Sequence, residues 1–150
     1  MKTLAILCFA ASALVPIARS QNAEFRNPPD LPKANGYTQV VTIIHGKLVF
    51  LSGQVGLDKD GKVAGDFAAQ ARQAFANIQA ALAAVGAKPA DLVKLNYYVV
   101  GLNHDKLTAL REARDKVIDK DHPPASTLAG VQSLFREDVQ LEIEAEAVIP

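Results

Sequence analysis

The chain reads as a single α+β domain with two helices packed on one face of a mixed sheet, in the order β-β-α-β-α-β-β. Two segments repeat apolar residues at spacings of three and four, and five others follow the period of two that marks strands. With 150 residues and 49% hydrophobic side chains there is material for one core of ordinary size. Composition also excludes a disordered chain, and 9 Gly, 8 Pro and one Cys exclude a collagen-like repeat and an internal disulfide.

The first residues stand apart from that core. Met1-Lys2 is positive, Thr3 to Pro16 is almost wholly apolar, and Ala18-Arg19-Ser20 sets small residues before Gln21-Asn22. This is the layout of a secretory signal peptide, with cleavage expected after Ser20. The apolar run is shorter than the ~20 residues of a spanning helix. A periplasmic or secreted protein with no stable membrane insertion after cleavage is therefore expected. Cys8 leaves with this segment, and thiol chemistry with it. Cleavage also takes Lys2 and Arg19 from the 16 basic residues, leaving 14 against 16 acidic ones, a net charge of −2. With no run of Lys or Arg to neutralise phosphates, no nucleic-acid partner is expected.

Residues 21–36 hold Pro28, Pro29 and Pro32 among polar side chains and read as an extended leader without strand pairing, ahead of a domain over residues 37–150. Tyr37 to His45 and Lys47 to Gln54 are β-rich, and His45-Gly46 between them predicts a tight hairpin. Phe67, Ala71, Ala74, Phe75, Ile78, Leu82 and Val85 line one face of a helix that Asp66 can cap and Gly86 can close. Leu92 to Val100 alternates as a strand. A second helix starts near Asn103, turns Leu107, Leu110, Ala113, Val117 and Ile118 inward beneath a charged outer face, and should end at Asp121-His122-Pro123-Pro124. Ser126 to Leu134 and Val139 to Ile149 complete the sheet. In the last strand Leu141, Ile143, Ala145 and Ala147 alternate with Glu142, Glu144, Glu146 and Val148. The sheet face away from the helices should expose apolar residues such as Val100 or Val148, which predicts self-association.

Motifs of common chemistries are missing. His45, His104 and His122 are widely spaced and lack a metal-ligand pattern, no glycine loop opens a helix, and no Gly-x-Ser-x-Gly elbow occurs. Glu142, Glu144 and Glu146 share one strand face, about 7 Å between neighbours. Glu142 stands out because a carboxylate near the strand start could hold a water or accept its proton.

Taken in order, Ser52-Gly53-Gln54, Ala69-Gln70-Ala71-Arg72-Gln73-Ala74 with Asn77, Gly86, Pro124-Ala125-Ser126-Thr127 and Glu142-Ile143-Glu144-Ala145 resemble the Rid (YjgF/YER-type, RidA-like) family of reactive-intermediate deaminases from Tyr37 to the end. The resemblance implies a chorismate-mutase-like fold and a homotrimer with small-molecule clefts between subunits. It implies hydrolysis of an enamine or imine to a keto product and ammonia, without metal or organic cofactor. Carried over by position, it gives Tyr37 at the cleft mouth, Ser52 at a strand end, Asn103 beside the cleft, and Glu142 as the carboxylate that positions water. Ser126 and Thr127 follow as substrate-binding residues.

One departure matters. The family arginine that grips the substrate carboxylate should follow Pro124-Ala125, where this chain has Ser126; Leu128 replaces a thiol two residues later. That places it in an arginine-less subgroup. A guanidinium gives two charge-assisted hydrogen bonds of roughly 1.5–3 kcal/mol each, and a serine one neutral donor. The expectation is an exported homotrimer that binds a small polar metabolite with weak or altered hydrolytic chemistry. The alternatives are a working imine or enamine deaminase and a non-enzymatic holdase. Lys94 and Arg136 are the candidate replacement cations.

Overall fold

The computed structural model describes residues 22–150, so the expected signal peptide lies outside the described residues. Helix α1 (Phe67–Ala84) starts where predicted, because Asp66 Oδ1 accepts a hydrogen bond from the Ala69 amide at 2.8 Å. It ends on Gly86 at φ +73°, which lets Gly86 N donate to Ala83 O and Ala87 N to Leu82 O. Its apolar stripe of Ala71, Ala74, Phe75, Ile78 and Leu82 is buried, the alanines keeping the helix close to the sheet. Helix α2 (His104–Arg114) is capped by Asn103, whose Oδ1 accepts from Lys106 N at 2.9 Å. It stops well before Pro123-Pro124, because at Arg114 the carbonyl accepts from both Val117 and Ile118 and the chain continues in turns.

The strands are β1 (Ala23–Arg26), β2 (Val40–Ile43), β3 (Lys47–Val55), β4 (Leu92–Val100), β5 (Ala125–Val131) and β6 (Leu141–Ile149). The main sheet is mixed, in the order β3-β6-β4-β5: β4 runs parallel to β5, and β6 is antiparallel to both β3 and β4. Both helices pack on this sheet as the period of their apolar residues requires, and Leu95, Val99, Leu141 and Ile143 meet them in the core. Burying each such side chain contributes about 1.5–3 kcal/mol.

Two expectations near the start are corrected. The leader is not unpaired: Ala23–Arg26 precedes its prolines, keeps all its amide donors, and pairs antiparallel with β2. The hairpin across His45-Gly46 does not form, because β2 takes β1 as partner while β3 takes β6. Gly46, at φ +104°, packs so tightly on the end of β6 that an added Cβ would lie 2.5 Å from Ile149 O. Val148 does not lie open on the outer sheet face as expected: it is 2% exposed, because the β1–β2 ribbon covers it and Val93 in a second small cluster.

The polar residues of the Gln70–Asn77 motif are braces. Gln70 is 1% exposed, donates to Asp138 O at 3.0 Å and accepts from Gln140 N at 2.9 Å, fixing the entry to β6. Asn77 Nδ2 donates to Val55 O and Leu57 O, both at 2.9 Å, and so holds the exit from β3. Gln70→Leu leaves two backbone groups unsatisfied at about 1–3 kcal/mol each. Urea unfolding should show a loss of about 2–6 kcal/mol with an unchanged m-value.

Candidate functional site

Four of the expected site residues fall into two groups toward opposite edges of the sheet, Ser52 with Glu142 and Tyr37 with Ser126. The first surrounds an irregularity in β3, where Leu51 pairs with Ala145 and Gln54 with Ile143, so that Ser52 and Gly53 together oppose Glu144. Such a bulge turns side chains out of the ladder. Gly53 is required there, since an added Cβ would sit 1.8 Å from Glu142 Oε1. The half-buried Glu142 carboxylate thus lies over a bare stretch of backbone on the face away from the helices. Among the described residues it takes part in no hydrogen bond or ion pair. Beside it Glu144 accepts from Tyr98 Oη at 2.9 Å and Asn96 Nδ2 at 3.3 Å. That hydrogen bond is the main reason the Tyr98 hydroxyl titrates above the usual tyrosine range. Ser52 lines a shallow cavity of about 300 Å³ with Phe50, Lys94, Asn96, Glu144 and Glu146.

The second group gathers where β5 meets α2. Thr38 is 2% exposed; its Oγ1 donates to Pro123 O at 2.6 Å and its amide to Pro124 O at 3.2 Å. These bonds pin the segment before β2 to the start of β5 and bring Tyr37 to Ser126. Both line a cavity of about 190 Å³ with Tyr97, Leu128, Arg111 and Arg114. Arg114 is 8% exposed, and its Nε and Nη2 reach Asp115 Oδ1 at 2.8 and 2.7 Å. Gly36, at φ +73°, lies flat on the guanidinium: a Cβ there would be 2.1 Å from Nη2. Tyr97, 4% exposed, has a buried hydroxyl with no hydrogen-bond partner among the described residues. Leaving such a group unpaired costs about 1–3 kcal/mol. Burial holds its pKa well above the usual value, partly offset by Arg114, so the phenol stays protonated and able to donate.

A single chain does not unite these groups. Glu142 sits on β6 facing away from the helices, whereas Ser126 sits two strands across on β5 and shares its cavity with helix residues. Asn103 lines neither cavity, its side-chain oxygen being committed to the α2 cap. Thr127 points to the opposite face from Ser126 and accepts from Lys94 Nζ at 2.9 Å. Arg136 is tied to Asp138 and donates to Gly61 O at 3.2 Å, away from Ser126. Neither cation singled out from the sequence lines the Ser126 cavity. The two that do, Arg111 and Arg114, are not among the site residues expected from the sequence, although with Leu107 and Leu110 they complete an i, i+3, i+4, i+7 stripe. Among the described residues no group of three His, Cys, Asp or Glu is arranged to hold a metal, and no helix is long and apolar enough to cross a membrane.

A family model described as Ribonuc_L-PSP, endoribonuclease L-PSP, matches residues 29–149. A 2-iminobutanoate/2-iminopropanoate deaminase of Salmonella typhimurium is 39% identical over 122 residues, covering 78% of this chain and 91% of its own. One from Dermatophagoides farinae is 34% identical over 115 residues, covering 75% and 85%. Among solved structures, the Rid-family protein YyfB of Yersinia pestis, of unknown function, superposes with a TM-score of 0.77 at 30% identity, covering 85% of this chain and 99% of its own. The YjgF gene product of E. coli gives 0.60 at 31% identity, covering 73% and 85%. The fold is that of a chorismate-mutase-like α+β domain, two helices backing a four-stranded mixed sheet, with a cavity toward each edge. Within that class, the chain belongs to the YjgF/Rid family.

Proposed function

We propose that the chain is an exported imine or enamine deaminase that works as a homotrimer, with a carboxylate grip that differs from the family pattern because Ser126 stands at the arginine position. The observation that carries the reading is the Glu142 carboxylate, unbonded among the described residues and seated over the Gly53 bulge. The names of the imine-deaminating relatives support it. Water adds across the C=N bond as Glu142 takes one of its protons. That proton passes to nitrogen to complete the carbinolamine; as its C–N bond breaks, the carbinolamine hydroxyl proton passes to the departing nitrogen, so that a keto product and ammonia separate. An enamine first gains a proton at carbon and gives one up from nitrogen to become the imine.

Support for assembly comes from the two edge strands and from the face beside Glu142, where Phe50 is 73% and Leu48 41% exposed. A second copy that set its β3 edge near β5 would bring a Glu142 toward a Ser126 cavity. Support for export is the layout of residues 1–20. A nuclease reading gains nothing from the same face, where Glu142, Glu144 and Glu146 would repel a phosphate backbone.

The test is the chain from Gln21 onward, purified and mixed with freshly generated 2-iminobutanoate. Native mass spectrometry should give three subunits, and ammonia should appear faster than in buffer. Release at the buffer rate would overturn the deaminase reading, and a monomer in solution the shared cleft.

A further inference from the structure

We propose that helix α2 carries a carboxylate-binding site that replaces the absent strand arginine: Arg114 and Arg111, with the Tyr97 hydroxyl, hold the acid group of a small 2-oxo or 2-imino acid in the Ser126 cavity. Three independent observations meet there. Tyr97, 4% exposed and lining the cavity, ends in a hydroxyl with no partner among the described residues. A buried donor left empty is stabilised by an acceptor that arrives with a ligand. Arg114, 8% exposed, spends Nε and Nη2 on Asp115 and is held flat by Gly36, yet its Nη1 has no acceptor among the described residues. Arg111 stands one turn earlier on the same stripe and lines the same cavity without an ion pair among the described residues.

The charge balance sets the ligand class. The lining includes two guanidiniums and no carboxylate, and Asp115 offsets one of them, which leaves about one positive charge for an anion. Like charges at i and i+3 repel unless something negative lies between them. The last turn of a helix does favour cations. That preference explains their position on α2 but not the empty phenol opposite. Leu107, Leu110 and Leu128 supply an apolar wall for a short alkyl chain, and about 190 Å³ limits the guest to a few carbons. Ser126 then contributes one further donor in place of the main anchor.

The proposal rests on the reading of the Ser126 cavity as the substrate pocket but not on Glu142 chemistry. The probe is 2-oxobutanoate, titrated calorimetrically into the full mature protein, with 2-oxobutanamide as the uncharged isostere. Wild type should bind the acid at least tenfold more tightly than the amide. Arg111→Gln and Tyr97→Phe should each weaken acid binding by about three- to tenfold, and Arg114→Gln by tenfold or more. Tyr97→Phe should melt no lower than wild type, since it removes an unpaired hydroxyl; a merely structural role for Tyr97 would lower its Tm. Should Arg114→Gln fail to fold, the other two variants decide the matter. Equal affinities for acid and amide, or acid binding unchanged in Arg111→Gln and Tyr97→Phe, overturns the site. Acid bound by wild type with no ammonia release overturns the deaminase reading and leaves the site standing. Ammonia release with KM unmoved in these variants does the reverse.

Discussion

Glu142→Gln is expected to cut ammonia release from 2-iminobutanoate by about 10²–10⁴-fold, the range for loss of a positioned general base. The amide has the shape of the carboxylate but cannot take a proton from water. Because Glu142 is half-buried and takes part in no hydrogen bond or ion pair among the described residues, the variant should keep its melting temperature to within a few degrees. KM should move little, since the proposed acid grip lies on α2 and β5. Stopped-flow turnover with calorimetric melting checks both halves of the statement. A rate within threefold of wild type would remove Glu142 from the chemistry.

Gly53→Ala should produce almost as large a loss by displacement alone. The new Cβ would fall 1.8 Å from Glu142 Oε1, 2.7 Å from its Cδ and 2.9 Å from its Cγ, so the side chain must swing away. Gly53 is not among the glycines with positive φ, so alanine meets no backbone strain. Misplacing a reacting group by about 1 Å costs on the order of a hundredfold. The expected result is a folded protein with kcat reduced about a hundredfold and a native mass equal to that of wild type, checked by turnover and mass spectrometry together. Gly56→Ala offers the contrast: its Cβ would lie 2.6 Å from the Gln70 Cα, so it should lower stability by pushing α1 off β3.

Much of this was legible beforehand, for reasons that can be named. Both helices followed from their apolar stripes, and Asp66, Gly86 and Asn103 marked the ends they cap. The alternation of Leu141 to Ile149 fixed which side of β6 enters the core and so placed Glu142 on the other face. A period of two says nothing about which strand is the partner. Alternation therefore points β2 to β3, its neighbour in sequence, although Ala23–Arg26 is the strand that pairs with it. Pro123-Pro124 limits where a helix must stop, but α2 ends earlier because Val117 and Ile118 close onto Arg114 O. The position expected to hold a cation holds Ser126, while Arg111 and Arg114 reach that cavity from a different element. No sequence spacing links those helix residues to Ser126; they meet it only where α2 packs beside β4 and β5.

The ribbon of β1 and β2 over Val93 and Val148 also acts as an end-stop. It closes one end of the sheet face and leaves the end with Ser52 and Glu142 unobstructed. Any neighbour sliding along that face is therefore halted on one side only, and the face has a polarity that the ladder of strands by itself would not give it. Trimming Ala23–Arg26 should erase that direction by freeing β2 as a bare edge, so the trimmed chain should aggregate more readily than the whole one.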